Sequence, residues 1–262
     1  MKTLILGAGK MVEAILVGLK EETDLSNYIL YSPSGESAKK LAQSIGCRYV
    51  LCLDEVREVD FVWLGCKPQQ LKALASSISG KFKHATFVSL LAAVPEVEQL
   101  KILAVNKLVR VMPNLPVKFK RGVTLLSSSS AKEDLKKVKS LFSLLGLAHE
   151  VMESELDELT LLTGSGPALF YEFTKCLFHS FSSLAPAERE KLSRMVLQGA
   201  GEAVAIDDND LDVMINAVTS KGGVTIAVLE NWRKNGMDKL ISDGVRSGLK
   251  RSEEIKDSLL HN

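Results

Sequence analysis

Across residues 1–152 short apolar runs alternate with stretches of helical spacing. The runs are "TLILG", "YILYS", "FVWLGC", "TFVSLL", "KLVRVMP" and "GVTLLS", with a last short one at "AHEVM". Between several of them the apolar positions recur with helical period. Met11, Ala14, Ile15, Gly18 and Leu19 form one such face, and Leu135, Val138, Leu141, Phe142 and Leu145 form another. Strand, helix and strand in repetition predicts parallel strands joined by right-handed crossovers, hence a doubly wound α/β domain over 1–152. After Met152 the strand pattern stops. Helical spacing is expected near 153–163, 167–184, 186–206, 208–219, 224–235 and 238–252. Breaks are expected at Gly164-Ser165-Gly166, Pro186, Asp207-Asp208-Asn209 and Gly222-Gly223. Residues 153–262 therefore read as an all-α domain. The serines at 127–130 are expected to form a turn whose last member caps the next helix. Leu156, Leu159, Leu161, Leu162 and the aromatic group Phe170, Tyr171 and Phe173 make several of these helices apolar over a wide arc, as a subunit interface or a monomeric core would require.

Composition narrows the partners. The chain has 262 residues, 46% hydrophobic and 25% charged, enough to bury a sizeable core. With 33 basic and 32 acidic residues its formal net charge is +1, so no general field draws nucleic acid or an anionic membrane. The local run Lys118, Lys120 and Arg121 reads as a solvated turn. Cys47, Cys52, Cys66 and Cys176 fall at irregular spacing, without a CxxC and without clustered histidines, so neither a metal site nor a disulfide framework is expected. Reduced thiols imply a cytoplasmic location. The opening "MKTLILGAGK" is read as a strand and turn, because Gly7, Gly9 and Lys10 cut its apolar run short of a leader. No apolar run approaches the ~20 residues of a membrane span.

The segment "LILGAGKMVEAI" places Gly7-x-Gly9 between a strand and a helix. There the first glycine permits a tight turn, the second lets backbone approach a pyrophosphate, and the helix N-terminus offers N–H groups to anionic oxygens. The third glycine position holds Val12, expected to space helix and strand more widely. At the end of the second strand, "YSPSGESAKK" offers Ser32, Ser34 and Lys39 where an NAD site has a carboxylate. A carboxylate would repel a 2′-phosphate, so this end favours NADP over NAD.

With "GAGKMVEAI", "CKPQ" at 66–69, "LLAA" at 90–93, "RVMPNLP" at 110–116, "LTGSGPALF" at 162–170 and "VTSKGGVTIAVLE" at 218–230 in this order, the chain resembles the pyrroline-5-carboxylate reductases along nearly its whole length. The resemblance implies a Rossmann domain followed by an all-α dimerisation domain, a homodimer or higher homo-oligomer, and NADPH, with NADH as an alternative, as hydride donor. It implies cofactor contacts at Gly7, Ala8, Gly9, Lys10 and Met11, at Ser32 and Ser34, at Cys66, Lys67 and Pro68, and at Ala92 and Ala93. It implies substrate contacts at the Gly222-Gly223 turn and the residues beside it, Ser220, Val224, Thr225 and Ile226, in a site that also uses a neighbouring subunit. The chain departs from the family at Lys221, where proline is usual, and at Val12, Thr163 and Val224.

The implied reaction is reduction of L-1-pyrroline-5-carboxylate, a cyclic imine bearing a carboxylate, to L-proline. An iminium carbon accepts hydride readily, so the protein must chiefly orient the ring and supply polarity. A helix starting near Val224 would point the amides of Val224, Thr225 and Ile226 at the carboxylate, with glycines ahead of them clearing room. The Thr225 hydroxyl is the candidate catalytic group, positioned to hydrogen-bond the ring nitrogen. Thr225 as a simple helix start and Gly222-Gly223 as a hinge is the plainer alternative. Asn114 contacts the cofactor or substrate, or caps a turn between two prolines. Glu153 approaches the substrate, or only complements a helix N-terminus. "GSGP" at 164–167 lines the pocket, or lets two helix ends pack closely. Competing functions are a related imine or 2-hydroxy-acid reductase, for which Lys175 is the available acid, and a non-catalytic NADP-binding paralogue.

Overall fold

The computed structural model describes residues 1–261. Eight strands form one sheet: β1 (Thr3–Leu6), β2 (Tyr28–Tyr31), β3 (Arg48–Tyr49), β4 (Phe61–Leu64), β5 (Thr86–Ser89), β6 (Leu108–Pro113), β7 (Gly122–Ser127) and β8 (Gly146–Glu150). Five helices accompany them: α1 (Lys10–Leu19), α2 (Glu36–Ile45), α3 (Leu71–Ser77), α4 (Glu96–Leu103) and α5 (Lys132–Ser143). The strand order is β3-β2-β1-β4-β5-β6-β7-β8, and it reverses direction of travel between β1 and β4. Such a switch point opens a crevice at the carboxyl ends of the strands, where ligands bind in open α/β sheets.

Both faces of the sheet are covered, so its strands are apolar at successive positions. Ile5, Ile15, Leu30, Trp63, Val88, Val109 and Phe142 bury one face, and Leu4, Leu6, Val62, Leu64, Phe87 and Leu108 the other. Trp63 stacks on Phe142 at 5.7 Å and meets the edge of Tyr28 at 6.0 Å.

Two sheet features differ from the sequence expectation. β3 is only Arg48–Tyr49, both exposed, too short to give a pattern. β7 runs antiparallel to β6, because segment 114–121 holds one 3₁₀ turn over Leu115–Phe119 and is shorter than the dozen or so residues of a parallel crossover. Parallel pairing resumes at β8, after α5. The serine turn also differs. Ser130 does not cap α5; its Oγ donates to the buried Glu96 carboxylate, and Ser128 Oγ accepts the Ala131 N–H instead.

Beyond β8 the described chain is helical, as expected: α6 (Glu153–His179), α7 (Pro186–Ile206), α8 (Leu211–Ala217), α9 (Val224–Lys234) and α10 (Met237–His261). α10 continues past the expected end at 252. The break expected at Gly164-Ser165-Gly166 does not occur; α6 passes through it with Pro167 inside. Proline has no N–H to give the carbonyl four residues back, here Thr163. Asn114 supplies the missing donor: its Nδ2 bonds Thr163 O at 2.9 Å.

The chain divides into two compact bodies. One comprises Met1–Pro167 with the segment from Leu249 onward, and the other Ala168–Gly248. No helix among the described residues is long and apolar enough to cross a membrane.

Candidate functional site

The first candidate site is the carboxyl edge of the sheet, where the chain leaves β1, β2, β4 and β5. Gly7 has φ +116°, and its N–H bonds Tyr31 O at 2.8 Å. A side chain there would bring its Cβ to 2.5 Å from Gly65 O. Gly9 caps α1 with extended backbone, φ −81° and ψ 175°, and lends no side chain to the helix start. The first intrahelical bond is Glu13 N to Gly9 O at 2.9 Å, so the amides of Lys10, Met11 and Val12 precede the ladder as anion-binding donors. Val12 packs tightly in place of a third glycine because residue 65 is itself a glycine: a Cβ on residue 65 would lie 2.5 Å from Val12 Cγ2. The space missing at one position of the motif is recovered at the facing loop.

Beyond β2, Ser32 is buried and its Oγ accepts the Ala38 N–H at 3.2 Å, organising the start of α2. Ser34 and Lys39 are exposed, and no carboxylate stands between Tyr31 and Gly35. These residues fit a phosphate-bearing dinucleotide: free helix amides, a glycine turn against the sheet, and hydroxyl and ammonium groups where the second ribose would lie.

After β4, Cys66 is half-buried, and burial pushes its thiol up to about 11, so it stays protonated near neutral pH. The exposed Lys67 uses its backbone, its N–H bonding Gln70 Oε1 at 2.9 Å, and Pro68 opens a 3₁₀ turn. After β5, Ala92 is exposed and Ala93 is buried with φ +61°. A non-glycine residue costs roughly 1–2 kcal/mol in that conformation, so its surroundings hold it there.

The two polar candidates near this edge have tasks the sequence did not single out. Asn114 is buried, its Oδ1 accepts the Val123 N–H at 2.9 Å, and its Nδ2 repairs the ladder of α6. Protein backbone thus partners each end of its amide. Glu153 at the start of α6 is held by protein groups through one carboxylate oxygen. Its Oε1 accepts Arg110 Nη1 at 2.7 Å and the backbone N–H of Glu96 at 2.9 Å. Arg110, 1% exposed in the middle of β6, also bonds Asp157 Oδ1 at 3.0 Å. Arg110 and Glu96 were missed; the available signal was a lone charge inside the apolar run "KLVRVMP".

The second candidate site lies in the other body, at the start of α9. Ser220, Lys221, Gly222 and Gly223 form a turn closed by Gly223 N to Ser220 O at 2.9 Å. Gly222, third in the turn, has φ +71°, which glycine adopts without strain. At Gly223 a Cβ would sit 2.3 Å from Ser220 Oγ, which can rotate away, and 3.0 Å from Ser220 O, a tight contact. Lys221 occupies the second turn position, where proline is also favoured, so it fits the turn but restrains it less. Gly223 then caps α9 with ψ 173°, and the first helical bond is Ala227 N to Gly223 O. The amides of Val224, Thr225 and Ile226 thus precede the ladder, and Val224 and Thr225 are exposed. The Thr225 hydroxyl has no hydrogen-bond partner among the described residues.

Comparison with known proteins matches both bodies. Residues 153–255 match the family described as pyrroline-5-carboxylate reductase dimerisation, and residues 2–93 match the family described as NADP oxidoreductase, coenzyme F420-dependent. The chain is 30% identical to a pyrroline-5-carboxylate reductase of Staphylococcus saprophyticus, over 97% of this chain and 98% of that protein. It is 28% identical to the Staphylococcus aureus (strain COL) reductase, over 98% of each. Among solved structures, the 1-pyrroline-5-carboxylate reductase of Streptococcus pyogenes aligns with a TM-score of 0.85 at 26% identity, over 97% of this chain and 98% of that one. The pyrroline carboxylate reductase of Plasmodium falciparum, described with NADP bound, shares the fold, with a TM-score of 0.85 at 22% identity over 98% of each chain.

Proposed function

We propose, from the premise that this chain belongs to the pyrroline-5-carboxylate reductase family, that it reduces L-1-pyrroline-5-carboxylate to L-proline with NADPH. The observation that carries this is the end-to-end match to the Staphylococcus saprophyticus enzyme. Bound at the Gly7–Met11 turn, the nicotinamide cofactor supplies the hydride that reduces the imine carbon.

The chain's own groups bind and orient. The amides of Val224, Thr225 and Ile226, with the positive end of the α9 dipole, hold the substrate carboxylate. Gly222 and Gly223 let that carboxylate reach the backbone. The Thr225 hydroxyl hydrogen-bonds the ring nitrogen, favouring the geometry in which the nitrogen ends as a protonated amine. Lys221 adds positive charge beside the same turn. The Cys66 thiol, protonated as it is, takes no part as a nucleophile.

Thr225→Ala tests the role of the hydroxyl. Loss of one transition-state hydrogen bond, ~1.5–3 kcal/mol, is expected to lower turnover roughly 10- to 100-fold while leaving NADPH affinity nearly unchanged. A wild-type rate in steady-state kinetics would remove the hydroxyl from the mechanism.

The same reading includes a cytoplasmic homo-oligomer built on the C-terminal helices. None of the residues from Ala168 to Gly248 is buried in the single chain, and Phe170, Ile206 and Leu240 are 63%, 82% and 76% exposed. A helical body with so much apolar surface open to water is stabilised by a second copy that covers it.

A further inference from the structure

The loop from Leu90 to Pro95, which joins β5 to α4 and carries Ala92 and Ala93, is held at both ends by groups outside it. At its start Leu90 N bonds Leu64 O at 3.1 Å, and Leu91 N bonds the buried Ser89 Oγ at 3.2 Å. At its end the fully buried Gln99 donates Nε2 to Val94 O at 2.7 Å. One residue further on, the Glu96 N–H is bonded by Glu153 Oε1, the oxygen that also accepts Arg110 Nη1. The Glu96 carboxylate is itself enclosed. It accepts the N–H groups of Ser129 and Ser130 at 2.8 and 3.0 Å, and their hydroxyls at 3.0 and 2.6 Å. Ala92 is left exposed at the crest, next to Ala93 in its left-handed conformation.

We infer that Arg110 and Glu153 are positioning residues for the cofactor-binding loop: Arg110, fixed in β6, holds Glu153, and Glu153 holds the start of α4 so that Ala92 and Ala93 present their backbone to the cofactor. The inference rests on the reading of Ala92 and Ala93 as cofactor contacts. It gives Glu153 a task in binding NADPH and not the substrate. The node is poorly suited to stability alone, because Arg110 Nε and Glu153 Oε2 are buried without a partner among the described residues. A carboxylate oxygen that accepts two donors from different elements does suit fixing their relative position. The loop itself, with a strained alanine, would not keep its shape unaided.

The test compares full-length wild type, Glu153→Ala and Glu153→Gln, with NADPH affinity read by fluorescence titration and KM for pyrroline-5-carboxylate by steady-state kinetics. Glu153→Ala removes both bonds, and the NADPH Kd is expected to rise at least tenfold with the imine KM changed less than twofold. Glu153→Gln keeps an amide oxygen for the Glu96 N–H and is expected to hold the NADPH Kd within two- to fivefold of wild type. Mere loss of folded protein lowers the apparent kcat without moving either constant. A rise in the imine KM with the NADPH Kd unchanged places Glu153 on the substrate and overturns the inference; so does no change in either. If Glu153→Ala does not fold, Arg110→Met, which releases Glu153 from β6, carries the decision by the same split between Kd and KM. Failure of wild type to turn over imine while binding NADPH overturns the proposed reaction, and the Kd values still decide the positioning role.

Discussion

Gly7→Ala is expected to abolish measurable NADPH binding and to destabilise the fold by about 2–4 kcal/mol, from left-handed backbone strain and overpacking together. Position 7 has φ +116°, which an alanine resists, and the added Cβ would lie 2.5 Å from Gly65 O and 2.6 Å from Gly65 C. Both are backbone atoms, so no side-chain rotation relieves the overlap. Relief comes by opening the β1–β4 pair beyond Leu6, where Gly65 N bonds Leu6 O at 2.9 Å, or by shifting the turn that presents the α1 amides. Either movement disorganises the anion site. Gly9→Ala separates the two causes: its Cβ would come no nearer than 3.9 Å to Gly65 O. That variant is expected to unfold at nearly the wild-type temperature yet bind NADPH more weakly, because the methyl group stands where the pyrophosphate approaches. Thermal unfolding and NADPH titration on both variants check this. NADPH affinity within threefold of wild type in Gly7→Ala would contradict the placement of the cofactor.

Arg110→Met carries the second large effect. Arg110 is 1% exposed and bonds two carboxylates through its two terminal nitrogens, at 2.7 and 3.0 Å. Removing one partner of a buried ion pair is costly because the remaining charges stay without compensation, typically by ~3–5 kcal/mol. Here the Asp157 side chain is 31% exposed, so water recovers part of the loss on that partner. A destabilisation of about 2–4 kcal/mol is expected, a fall in melting temperature of roughly 5–12 °C for a chain of this size. Adding Glu153→Gln to Arg110→Met is expected to restore part of it by removing one uncompensated charge. A melting temperature within ~2 °C of wild type for Arg110→Met would show that the pair contributes no net stability.

The alternation of apolar runs and helical spacing was enough to read every strand but β3, because strands buried on both faces are apolar at most positions. The pattern does not encode direction, which is why the antiparallel β7 was missed; only the shortness of 114–121 carries that information. The glycine turns at Gly7 and at Gly222-Gly223 were legible because a positive φ restricts residue type. The continuity of α6 was not, since "GSGP" breaks most helices. It holds here through Asn114, distant in sequence, whose amide reaches the carbonyl that Pro167 leaves without a donor. The same limit explains Glu153: a carboxylate at a helix start reads alike whether it awaits a ligand or a buried arginine 43 positions away. Position 12 shows the converse, because the valine that seemed to cost space is matched by Gly65 across the turn.

Hydride delivery to the imine carbon is read by isotope transfer. The full-length protein is given pyrroline-5-carboxylate and NADPH carrying deuterium at the transferred C4 position of the nicotinamide. L-Proline one mass unit heavier is expected, with the label on the former imine carbon. Saturating substrate and cofactor that yield no proline, or proline without the label, would contradict hydride delivery.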